Sequence, residues 1–187
     1  MMSIIELFCY VDDFCNVFMG AWMKLLIAYG ARQRHRQGRL SVSEIMTILL
    51  LFQQSHYRDI KAFYLKEVCC QLRKEFPHRV SYTRFVALIP HVLIPLCAFL
   101  QSIKSTSEGI SFIDSTSIAV CHPKRISSHK VFAGLAKMGK TTKGWFYGFK
   151  LHLVINHRGE LCACRITAGN VDEREPVPLL VKGLLGK

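Results

Sequence analysis

An aspartate inside an apolar, β-branched run is the first residue whose surroundings ask for an explanation. Ile113-Asp114-Ser115-Thr116 lies between Phe112 and Ile118-Ala119-Val120, a setting that rarely holds a carboxylate without a metal or a partner. Phosphodiester transfer by two metal ions needs such a group, fixed on a rigid element and shared between the ions. An Asp at a strand edge near solvent accounts for the same residues, so the pattern alone leaves both readings open. The stretch that follows tilts the choice. From Ser115 to Arg158 there is no acid, while Lys124, Arg125, Lys130, Lys137, Lys140, Lys143, Lys150 and Arg158 are basic, with Phe132, Trp145, Phe146 and Tyr147 interleaved. Placed directly after a candidate metal carboxylate, such a segment fits the phosphate backbone of a nucleic acid. A solvated flexible loop is the plain alternative.

Two further patterns invite chemistry and support it less. Gly134-Leu-Ala-Lys-Met-Gly139-Lys140-Thr141 matches the phosphate-binding-loop expression letter for letter. That chemistry requires a buried strand before the loop and a helix after it, whose amides hold the phosphates. Here Thr142-Lys143-Gly144-Trp145 leads into a strand instead, so a phosphate-loop nucleotide hydrolase is a remote alternative. Of the eight cysteines, Cys121, Cys162 and Cys164 could gather with His122 around zinc, but the usual ligand spacing is missing. Most of the cysteines sit in apolar runs and read as free thiols.

The elements that must position these residues fall into two parts. Residues 1–108 read as an all-helical module that could bind DNA. Ser41 or Ser43 caps a helix with Ile45, Ile48, Leu49 and Phe52 at helical spacing. A second helical run covers Asp59 to Phe76 and ends at Pro77. A third starts at Ser81, with Pro90 and Pro95 expected to kink or divide it. The first two resemble a helix-turn-helix only loosely, and packing explains them as well. From Gly109 the character changes. Ile110 to Val120 reads as a strand, and Trp145 to Ile155 as a second. In the second strand Phe149, Leu151, Leu153 and Ile155 share one face, and Lys150, His152 and Val154 the other. His157-Arg158-Gly159-Glu160 is a turn into a third strand, Leu161 to Ala168. Asp172, with Glu175 completing a capping box, is expected to start a helix through Val177, Leu180, Val181 and Leu184. The fold class expected is α+β: helices, then three antiparallel strands and a helix over residues 109–187, the opening half of a ribonuclease-H-like domain.

Composition agrees with a DNA partner. Lys and Arg number 25 against 13 acids, a formal charge of +12, which favours a polyanion. Half of the 187 residues are hydrophobic, enough for packed cores. The first residues carry Glu6, Asp12 and Asp13 where a secretory signal would carry Lys or Arg. Val86 to Leu100, broken by Pro90, His91 and Pro95, is expected to be too short and too interrupted to span a bilayer. A cytoplasmic protein without a membrane segment is the expectation.

Several blocks taken together resemble a DDE-type bacterial insertion-sequence transposase. They are Phe52-Gln-Gln-Ser-His-Tyr-Arg-Asp-Ile-Lys61 with Phe63-Tyr64, Phe112-Ile-Asp114-Ser-Thr116, Cys121-His-Pro-Lys-Arg125, His129-Lys-Val-Phe132, Gly144-Trp-Phe-Tyr-Gly-Phe-Lys-Leu-His-Leu153, and Thr167-Ala-Gly-Asn-Val-Asp172. The Gly144 to Leu153 block is the most specific. The resemblance implies a catalytic domain that uses Mg²⁺ or Mn²⁺, cuts at transposon ends and joins them to target DNA. It implies that Asp114 is the first catalytic, metal-binding acid. The family's second Asp lies in an Asp-x-Gly-Tyr-like block and its Glu on a later helix, and neither is found up to Lys187. The chain therefore reads as C-terminally truncated and catalytically incomplete. Its expected partners are DNA, a further copy of itself, or full-length transposase. A non-catalytic DNA-binding remnant that modulates full-length transposase is the main alternative.

Overall fold

A computed structural model describes residues 2–30, 38–105, 109–142, 144–182 and 184. The chain divides into two compact units, Met1–Ser102 and Ile103–Lys187.

The first unit is helical. α1 (Ile4–Ala28) opens on a complete capping box: Ser3 Oγ accepts from the Glu6 amide, and the Glu6 carboxylate accepts from the Ser3 amide. α2 (Val42–Gln54) repeats the device with Ser41 and Glu44. Asp59 caps α3 (Ile60–Phe63), which passes without a break into a π-helix over Tyr64–Gln71. That change of pitch is not announced by the sequence. α4 (Tyr82–Ser102) contains both Pro90 and Pro95, expected to kink or divide it, and is one helix of 21 residues, so the division does not occur. Each proline removes one backbone donor and crowds the carbonyl four residues back, a cost offset by the burial of Phe85, Val92, Pro95 and Phe99 along α4. That core includes Val11, Met46, Ile48, Phe63, Tyr64 and Val68, with Tyr64 stacked on Phe85 at 4.4 Å and donating to the Val80 carbonyl at 2.7 Å. The undivided α4 also overturns the expectation of a stretch too short and broken to span a bilayer: by length and composition alone it is long and apolar enough.

The second unit is a four-stranded antiparallel sheet with one short helix. β1 (Ser111–Cys121) pairs with β3 (Gly144–Asn156) from Ser111↔Asn156 to Cys121↔Tyr147. The opposite edge of β3 carries two strands end to end: β2 (Lys137–Thr141) against residues 144–148 and β4 (Leu161–Ala168) against residues 149–155. The expected turn is present, with Gly159 at φ 78° and the Gly159 amide donating to the Asn156 carbonyl. β2 was not expected. Its Lys-Met-Gly-Lys-Thr run has no apolar alternation, and it forms because β3 is longer than β4 and leaves a row of backbone groups to pair.

Which face of this sheet is covered follows from alternation and burial together. Phe146, Lys150, His152, Val154 and Asn156 are buried, whereas Phe149, Leu151, Leu153 and Ile155 are half-buried. The segment after β4 lies on the first of these faces. Leu180 of α5 (Val177–Val181) packs with Val154 and Cys162. Asp172 does not cap α5, which has no side-chain cap. Its carboxylate accepts instead from the Arg174 amide at 2.8 Å, closing a local turn. The more polar face of β3 is therefore the covered one, and the apolar face is the open one.

Candidate nucleic-acid interface around Asp114

Asp114 stands opposite Leu153 in the β1–β3 ladder, and Leu153 stands opposite Cys164 of β4. Directly paired residues share a face, so Asp114 belongs to the open, apolar face with Phe112, Ile118 and Ile166. Phe112 is 57% and Ile166 61% exposed. The Asp114 side chain is itself exposed, and its Oδ1 accepts from the Ser115 amide at 2.8 Å. It is the only acid carried by any of the four strands.

The basic connection from β1 to β2 folds over the same face. A 3₁₀ turn, Pro123–Ser128, starts at His122, whose Nδ1 accepts from the Lys124 amide at 3.3 Å. The chain is then pinned by aromatic contacts: His129 lies on Phe132, meets the edge of Tyr147, and Phe132 meets Phe149 at 5.5 Å. Tyr147 and Phe149 are open-face positions of β3, so these contacts hold the chain at His129 and Phe132 on Asp114's side of the sheet, and Lys124, Arg125 and Lys130 of the same connection are exposed. Lys140 is on that side too, paired in register with Trp145, its ammonium 5.7 Å from the indole centroid.

Other basic residues singled out from the sequence are placed differently. Lys137 stands opposite Gly148, on the other face of β2 and β3, and is exposed. Lys143 lies outside the described residues. Lys150 is 8% exposed, donates to the Val171 carbonyl at 3.0 Å and pairs with Glu173 at 3.4 Å. Its ammonium is committed to holding the segment after β4 against the covered face. Beside it His152 is 1% exposed, with Nε2 2.9 Å from Thr167 Oγ1. Burial, and then the neighbouring Lys150 charge, push its pKa below the ordinary value. The segment bearing Asp172 and Glu173 therefore crosses the face opposite Asp114. Among the described residues no three His, Cys, Asp or Glu are grouped to hold a metal, which includes the cysteines considered for zinc.

The letters of a phosphate-binding loop fold into a hairpin. Lys137–Thr141 is a strand and continues through a turn into β3, with no helix to present amides to phosphate. Gly139 has a packing role: a Cβ there would overlap the Gly169 carbonyl, and one at Gly148 would overlap the Ile118 carbonyl. Gly169 donates its amide to the Gly148 carbonyl at 2.9 Å. These three glycines let β1, β2, β3 and the turn after β4 meet backbone to backbone. Sequence reasoning missed this cradle, and the glycines within two strands were its signal.

The comparison with curated proteins and with solved structures gives no match. A family model described as Transposase DDE domain matches residues 104–187, which contain Asp114, the basic connection and the whole sheet. Over residues 104–187, then, this chain is similar to the transposase DDE domain family.

Proposed function

We propose that the open face of the sheet is where this domain meets DNA, with Asp114 the first metal-anchoring acid of a transposase that cuts at transposon ends and joins them to target DNA. The single observation that supports it best is the shared face: Asp114, the pinned basic connection and Lys140 all lie on one side, while Lys150 is used on the other. Lys124, Arg125, Lys130 and Lys140 are the phosphate contacts in this reading. A divalent ion in such enzymes polarises the phosphate and activates the attacking oxygen. The residues described supply one carboxylate toward that ion and do not complete a two-ion centre. Binding of duplex DNA at rising salt tests the assignment. Replacing Lys124 or Arg125 with Ala should each reduce the slope of log affinity against log salt by about one unit. An unchanged slope in both would remove the basic connection from the interface.

The solitary carboxylate also supports a second reading, a DNA-binding segment with no chemistry of its own. Incubating the 1–187 chain with terminal DNA and Mg²⁺ or Mn²⁺ separates the two. Nicking that is lost in Asp114→Ala assigns chemistry to these residues, and binding without nicking favours the second reading.

A further inference from the structure

The tip of the β2–β3 hairpin carries a tryptophan that the fold does not use. Trp145 is 64% exposed, a large apolar ring left in water on an otherwise well-paired hairpin. Thr141 Oγ1 donates to the Gly144 carbonyl at 3.3 Å across the turn, and Gly144 has φ 122°. The base of the hairpin is fixed where Gly139 presses on Gly169 and on the ring of Phe146. The Lys140 ammonium lies over the indole ring, 5.7 Å from its centroid. The tip thus offers a largely exposed indole with the Lys140 ammonium over its ring.

Trp145 is also on Asp114's side of the sheet. It precedes Leu153, the register partner of Asp114, by eight residues along β3, which is roughly 26 Å of extended strand. We infer that Trp145 is a stacking platform for an unpaired or flipped DNA base, with Lys140 taking the adjoining phosphate. This rests on the proposal that the open face meets DNA. A paired base keeps its faces against its neighbours, so a solvent-exposed indole gains little from intact duplex. An unpaired base exposes a face that stacks on an aromatic ring, whatever its sequence. The binding site is therefore selective for structure: DNA ends, gaps and melted steps over continuous duplex.

The chain has two tryptophans, so Trp22→Phe leaves Trp145 as the sole indole reporter. In that background, an oligonucleotide duplex with a short thymine overhang should quench the fluorescence, and a blunt duplex of the same paired length should not. Trp145→Ala should weaken binding of the overhang duplex by about ten-fold and leave the blunt duplex unchanged, while Trp145→Phe retains most of the preference. Circular dichroism confirms that the variant hairpin has folded. Equal binding of both duplexes with silent Trp145 fluorescence would overturn the stacking inference while leaving the DNA interface standing. Failure to bind either duplex at low salt would overturn both.

Discussion

The two faces of the sheet over residues 111–168 have opposite fates. One carries Lys150, His152 and Asn156 and is buried. The other carries Leu151, Leu153 and Ile155 and is open. Polarity alone would have assigned them the other way. The covered face is satisfied internally: Lys150 has Val171 and Glu173, and His152 has Thr167. Buried polar groups are tolerated when they find partners, and these tie down the segment that returns after β4. The open face keeps an exposed carboxylate, a rim of basic residues and uncovered apolar surface, features of a surface that awaits a partner. In the proposed reading one face gives stability and the other recognition.

The largest effect should come from the glycines that join the faces. Gly148→Ala puts a methyl into the Ile118 carbonyl, a backbone atom that cannot move aside, so β1 must shift. We expect about 3 kcal/mol or more of destabilisation, read as loss of the unfolding transition of residues 103–187. A variant with unchanged stability would mean that β1 and β3 are not held at this spacing.

Lys150→Met sharpens the contrast directly. The aliphatic stem is kept, but the Val171 carbonyl loses its donor, at a cost of about 1–2 kcal/mol, and Glu173 loses its ion pair. Urea unfolding should show the loss, while DNA affinity of the folded variant stays that of the wild type. A fall in affinity with unchanged stability would return Lys150 to the DNA surface.

His152 gives the covered face a pH dependence. Its folded-state pKa is lowered, chiefly by burial and then by Lys150, so the unfolded chain takes up the proton more readily. The stability it contributes is complete above the ordinary value of 6.5 and is lost as pH falls through the folded value, at no more than about 1.4 kcal/mol per pH unit. Urea midpoints at pH 7.5 and 5.5 should differ, and the difference should shrink in His152→Gln. A difference that persists in the variant would place the proton elsewhere.

A smaller effect concerns the edge of the sheet. Among the described residues β1 pairs only with β3, so no strand covers its outer edge, and Phe112, Ile113 and Ile118 are exposed beside it. Such edges exchange their amides and template aggregation unless something covers them. Hydrogen exchange on a verified monomer should be faster along Ile110 to Val120 than along β3. Uniformly slow exchange would show that the edge is covered.

Much of this is legible in the sequence. Strand-forming composition identifies β1, turn residues mark the hairpin at Gly159 that leads into β4, and alternation along β3 groups Lys150 with His152 and Val154 on one face. Period-two patterning says which residues share a face and not which face is covered, so the burial of Lys150 depends on the chain that returns over it. β2 escapes the sequence pattern because its pairing comes from the overhang of β3. Asp172 reads as a helix cap because its spacing to Glu175 mimics one, while Pro176 delays the helix by a turn. Asp114 is legible as a misplaced acid. That it shares a face with Lys140 and Trp145 is a matter of register, which composition does not contain.

The most direct test of the open face is DNA binding by the 1–187 chain and its Asp114→Asn variant, each with and without Mg²⁺. If Asp114 lies beside the phosphate backbone and anchors a cation there, the variant should bind several-fold more tightly than wild type without metal, because a like charge has been removed. Mg²⁺ should then strengthen the wild type and leave the variant nearly unchanged. Identical affinities for the two proteins in both conditions would place Asp114 away from DNA and contradict the account.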